Sequence, residues 1–204
     1  MARIKKLMKV NASVRDRDII LSKLSMYKQN PAFEGLIGDL RKSRKAHLEE
    51  AKELALSIQK SPGLRVKPRD FSGSVLQKRY DKVVRKLSSK ITSELPLVRE
   101  DPSKVEELHV IRRDCKQLRY VLEMGKFTRP PKPLVGLRSW QDLLGVIRDH
   151  DVMISYLRGL NKSPEIQLAL NTETESRSHS YQKFVEASRE NPVSRFAAKP
   201  LRSI

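Results

Sequence analysis

Apolar positions along the chain recur every three to four residues, and no stretch alternates apolar and polar for more than a few positions. That period belongs to amphipathic helices. Helix breakers cut the pattern into six lengths, near 3–27, 33–59, 74–94, 103–125, 134–158 and 164–189. The separators are Asn30-Pro31 and the runs SPGLRVKPRDFSGS, LPLVREDP, GKFTRPPKPLVG and NKSP. Proline and glycine supply most of them. Pro102, with Asp101 or Ser103 beside it, fits the start of the fourth helix. The expected fold is all-α, an antiparallel helical bundle or pair of bundles with about six helices.

A repeat underlies the pattern. VNASVRDRDIILSKL (10–24) aligns with LLGVIRDHDVMISYL (143–157) at an offset of 133. Arg15, Asp16, Asp18, Ser22 and Leu24 recur as Arg148, Asp149, Asp151, Ser155 and Leu157, and five more positions exchange one aliphatic or methionine for another. The same offset pairs Arg44 with Arg177 without a gap. A duplicated helical unit follows, with halves at 1–95 and 103–190 and a tail, 191–204, of weak periodicity. The fourth helix has no mate: shifted back by the same offset, His109 falls before Met1.

The fourth helix has an unusual surface. At 100° per residue, Leu108, Ile111, Cys115, Leu118 and Leu122 form one stripe, which should face a core. His109, Arg112, Lys116 and Arg119 form a second, about a quarter-turn away, widened by Arg113 and Tyr120 and ended by Glu123. From His109 to Arg119 the helix rises about 15 Å. The cations thus border the packing seam, where a groove between helices would lie. A solvated face with arginine stems over apolar neighbours is the plain alternative.

Composition strengthens the groove reading. The 204 residues hold 42 Lys and Arg against 24 Asp and Glu, a net charge of +18. Such an excess attracts polyanions. Aromatic residues are 5% of the chain, a poor supply for stacking single-stranded bases. The single Cys115 excludes an internal disulfide and suits a reducing compartment. No apolar run approaches the ~20 residues of a membrane span, so a soluble, cytoplasmic protein with no membrane role is expected.

HVIRRDCKQLRYVLE resembles the His-x-x-Arg…Arg/Lys-x-x-Arg-Tyr signature of the CHAD family, the conserved histidine α-helical domain. WQDLLGVIRDHDVMISYL resembles the segment that follows it there, with Leu-Gly and then Asp-x-Asp-Val, and 10–24 resembles its first-half equivalent. The resemblance spans about 3–60 and 103–189. It implies two helical bundles around a basic cavity that binds inorganic polyphosphate. It also implies that His109, Arg112, Lys116 and Arg119 line that cavity, with Arg113 and Tyr120 in support. The chain departs from the family in lacking the first-half signature helix, which leaves three expectations: a homodimer supplies a second cation row, the pocket is reduced, or the true start lies upstream.

Further cations extend the candidate set. Arg15 and Arg148 sit at matching repeat positions beside carboxylates, as ion pairs or ligand contacts. Arg41, Arg44 and Lys45 cluster at helical spacing. Arg138 and its repeat mate Lys5 are similar cases, and Lys78, Arg79, Lys82, Arg85, Lys86 and Lys90 make the third helix basic, with Lys78, Lys82, Arg85 and Lys86 at helical spacing. The expected partner is polyphosphate or another polyanion, bound without cofactor or catalysis. A helical module gripping an RNA or DNA backbone is the second choice. A metal phosphohydrolase is a third: His150-Asp151 fits an HD pair, but no aspartate follows Asp151 and no glycine-rich phosphate loop is present.

Overall fold

The computed structural model describes residues 2–27, 30–60, 73–124, 132–161, 163–190 and 193–194. Among these described residues are six α-helices: α1 (Ala2–Leu24), α2 (Glu34–Gln59), α3 (Gly73–Glu100), α4 (Val105–Glu123), α5 (Lys132–Arg158) and α6 (Pro164–Arg189). Two short 3-10 turns, Ser25–Tyr27 and Pro31–Phe33, lie between α1 and α2. Among the described residues there is no strand. The fold is all-α, as the hydrophobic period requires.

Local chemistry accounts for most boundaries. Asn30 accepts a hydrogen bond from the Ala32 N–H at 3.0 Å and precedes Pro31 in the turn before α2. Ser163 caps α6, its hydroxyl accepting from the Ile166 N–H at 3.3 Å, with Pro164 in the first helical position. Two boundaries differ from expectation. α3 runs through Pro96 to Glu100 rather than stopping near Glu94. Leu95 and Val98 are fully buried there, and the Tyr181 hydroxyl donates to the carbonyls of Val98 and Arg99 at 2.8 and 3.0 Å. Burial of that last turn outweighs the hydrogen bond that proline removes. α4 begins later than the proline suggested. Asp101 bonds the Ser103 N–H and hydroxyl at 2.8 and 2.6 Å, which makes a side-chain turn ahead of the helix.

The helices form two compact units interleaved in sequence. The first comprises 1–68 and 152–173; the second comprises 69–151 and 174–204. The packing therefore groups the helices otherwise than a cut between 95 and 103 does, because α5 and α6 each contribute to both units. The core of the first unit joins Ile20 and Leu24 of α1, Phe33, Leu40 of α2, Met153 and Leu157 of α5, and Ala169 of α6. Lys23 and Glu173 form a largely buried ion pair beside it at 2.7 Å.

In the second unit, one stripe from each of four helices meets. α3 gives Ile91 and Leu95; α4 gives Leu108, Ile111, Cys115, Leu118 and Leu122; α5 gives Leu137, Trp140 and Ile147; α6 gives Tyr181 and Phe184. Trp140 packs edge-on to Phe184 with ring centroids 5.8 Å apart, and its indole N–H donates to the Ala187 carbonyl at 3.1 Å. The α4 stripe is the one its sequence spacing predicts. Truncating a leucine there should cost about 2–5 kcal/mol.

The internal repeat is visible as a pair of equivalent contacts. Arg44 on α2 holds Asp18 on α1 through its Nε, and Arg177 on α6 holds Asp151 on α5 in the same way. The hydrophobic register repeats too: Val14 and Ile147, Ile20 and Met153, and Leu24 and Leu157 are all buried. The tail beyond Ser194 lies outside the described residues.

Candidate polyanion-binding site

Within the second unit, α4 and α5 run antiparallel. His109 meets Asp151, the Gln141 amide donates to the Cys115 carbonyl at 2.8 Å, and Arg138 meets Glu123. Position numbers rise on one helix as they fall on the other. On each helix the stripe facing this seam lies on the same side of its buried stripe. Antiparallel neighbours bring such stripes together. The cation row of α4 therefore borders α5.

All four members of the row, His109, Arg112, Lys116 and Arg119, are half-buried, whereas Arg113 and Tyr120 are exposed. Half-burial is the condition under which a cation meets a ligand without full screening by water. Tyr120 is 48% exposed, so it is no core residue; it lies under the guanidinium of Arg119, 4.9 Å from its ring centroid, with the Lys116 ammonium at 5.8 Å. This cation–π stack fixes the outer edge of the row.

One end of the row is tied down. The His109 Nε2 lies 3.1 Å from one Asp151 oxygen, and the Arg177 Nε bonds the other. The Asp151 side chain is only 9% exposed. Burial pushes its carboxyl up, but the hydrogen bonds and charges of His109 and Arg177 outweigh that and hold it below the usual aspartate value. At the other end, Glu123 receives Arg138 at 3.0 Å and Arg119 at 3.8 Å. The Nε of Arg119 and the Nη2 of Arg177 are buried and find no acceptor among the described residues.

On α5, Arg148 is half-buried, and the register between the Gln141 and Asp151 contacts sets it at the level of Arg112. Gly145 lies on the same stripe between Gln141 and Arg148. A Cβ there would meet nothing within 4 Å, so the helix surface beside the row is open. Asp114, placed away from both stripes by sequence, is buried and ion-paired to Lys90 of α3 at 2.7 Å.

The structure gathers part of the expected set. His109, Arg112, Lys116, Arg119, Arg138 and Arg148 flank one seam, with Arg113 and Tyr120 on its outer side. Arg15, Arg41, Arg44 and Lys45 belong to the first unit, where Arg15, Arg41 and Lys45 are exposed and Arg44 is paired with Asp18. Sequence reasoning placed Glu123 at the end of the row but passed over Arg177 as a member of the seam. The offset of 133 was the available signal for Arg177, since it reproduces both partners of the Asp18–Arg44 pair. As to a metal, no group of three or more His, Cys, Asp or Glu able to hold an ion occurs among the described residues. His150 is buried, and Asp151 faces the His109 imidazole and the Arg177 guanidinium.

The CHAD domain model matches residues 1–132, well over half of the chain and inclusive of α4. The chain belongs to the CHAD family. No curated protein and no solved structure matches it. Among the described residues, no helix is long and apolar enough to cross a membrane.

Proposed function

We propose that this CHAD domain binds inorganic polyphosphate along the α4–α5 seam and catalyses nothing there. The observation that carries the proposal is the half-buried row His109, Arg112, Lys116 and Arg119, aligned along about 15 Å of one rigid helix. A linear polyanion with closely spaced, flexible charges matches such a row. Arginine forks bond phosphate oxygens bidentately and keep their charge at all working pH values. Binding releases counterions, so affinity falls steeply with salt. The helices are held by a packed core, so the cations are positioned before the ligand arrives and little ordering cost remains.

Nucleic acid shares the phosphate chemistry, and backbone binding is the second reading. Its charges are fixed at wider spacing on a stiff frame, and the seam presents one aromatic ring, Tyr120, already covered by Arg119. Competition decides between them: labelled long-chain polyphosphate is displaced by unlabelled polyphosphate or by tRNA at ~150 mM salt, an ionic strength at which exposed charges are well screened. Displacement by polyphosphate at far lower phosphate concentration supports the proposal. Preferential displacement by tRNA replaces it with the nucleic-acid reading. A cytoplasmic location, with its reducing conditions, suits the lone thiol of Cys115 and belongs to the same proposal.

A further inference from the structure

The two ends of the cation row differ in how firmly they are closed. Asp151 is pinned by two partners and almost wholly buried. Glu123 is different: its side chain is 32% exposed, and its partners Arg119 and Arg138 are 27% and 48% exposed. A single oxygen, Oε1, faces both guanidinium groups, at 3.8 and 3.0 Å. Glu123 lies on the same helical stripe as His109, Arg112, Lys116 and Arg119, one turn beyond the last cation. An arginine that pairs with a carboxylate oxygen here can pair with a phosphate oxygen, because both are anionic acceptors for the same guanidinium N–H donors.

We propose that Glu123 is a displaceable internal ligand that sets the reach of the polyanion site. With Glu123 in place, Arg119 and Arg138 are partly neutralised, and a bound chain occupies the segment from His109 to Lys116. When the polyanion is long enough, its next phosphates displace the carboxylate. Arg119 and Arg138 then join the site, and Glu123 turns out to solvent. The closed end at Asp151 gives the site a direction: chains extend past Glu123, not past Asp151. Short chains gain nothing from the second pair of arginines, so Glu123 also discriminates by length. This inference rests on the polyphosphate reading above and names its length-determining residue.

Glu123→Gln tests it, since the amide keeps the size and loses the charge that competes. The control is Glu107→Gln, which makes the same change of net charge on the same helix, where Glu107 meets Lys104 at 4.0 Å. The probes are inorganic pyrophosphate, a short polyphosphate and a long polyphosphate, titrated against the whole chain. For Glu123→Gln, long-chain affinity is expected to rise several-fold, with a steeper salt dependence, while pyrophosphate affinity changes little and Glu107→Gln stays near wild type. Combining Glu123→Gln with Arg138→Gln should cancel much of the gain, which shows the coupling to be direct. Unchanged or weaker long-chain binding by Glu123→Gln, or an equal gain in Glu107→Gln, overturns the inference while leaving the polyphosphate reading intact. Failure of the wild-type chain to bind any polyphosphate overturns both.

Discussion

Asp151 and Asp18 are the same residue in two copies of a helical unit, and their environments differ sharply. Asp151 is 9% exposed and its partner Arg177 12%, whereas Asp18 is 48% exposed and Arg44 37%. Removing one partner of a buried pair strands the other charge out of water and costs about 3–5 kcal/mol. Asp151→Ala strands Arg177 and also takes the carboxylate from His109, so a destabilisation in that range is expected, a change in the folded-to-unfolded ratio on the order of a hundredfold or more. Asp18→Ala leaves Arg44 to be solvated, and the destabilisation there should lie within error. Urea unfolding followed by helix signal measures both, and separate transitions for the two units would be fitted separately. Acidity supplies a second handle. The Asp151 carboxyl is held below its usual value in the fold, so its stabilisation is complete above the ordinary aspartate pKa of about 3.9 and disappears as pH falls through the lower folded value. The gap between wild type and Asp151→Ala should therefore close as pH falls below the ordinary aspartate value of about 3.9. Equal destabilisation by Asp151→Ala and Asp18→Ala, or a gap independent of pH down to unfolding, would refute the reasoning.

Gly145 and Cys115 give further tests. Gly145→Ala should stabilise α5 by about 1 kcal/mol, because glycine is a poor helix former and the added methyl meets open space. Gly145→Glu, by contrast, should weaken polyphosphate binding severalfold in a filter or polarisation assay by setting bulk and negative charge beside Arg112 and Arg148. Cys115 is fully buried, and burial, aided by the charge of Asp114, pushes its thiol up to about 12. It should resist iodoacetamide at pH 8 in the native chain and react once urea unfolds it; rapid native labelling would place it outside the core.

The sequence made α4 almost wholly legible. Its buried stripe and its cation stripe differ by a quarter-turn, and helical geometry alone separates them. The repeat was legible as well, since Arg15-Asp16-x-Asp18 and Arg148-Asp149-x-Asp151 share a frame. Four features were not. α3 crosses Pro96 because Leu95 and Val98 reach a core and Tyr181 takes up the carbonyls at the helix end, and neither is visible locally. Asp114 is buried because Lys90 reaches it from another helix. The junction of His109, Asp151 and Arg177 joins three helices, across separations of 42 and 26 residues, and only tertiary packing brings it together. The interleaving of the two units was hidden for a similar reason: α5 and α6 change packing partners partway along, with no break in helical period.

The most direct measurement is polyphosphate affinity as a function of salt for the wild-type chain and for Arg112→Ala/Arg119→Ala. By analogy with single-stranded nucleic acid, each phosphate-binding arginine removed should lower the slope of log affinity against log salt by about 0.7, so the double variant should be shallower by about 1.4 and bind more weakly at low salt while keeping its helix content. An unchanged affinity and slope in a folded double variant would place polyphosphate elsewhere and contradict the assignment of the α4–α5 seam.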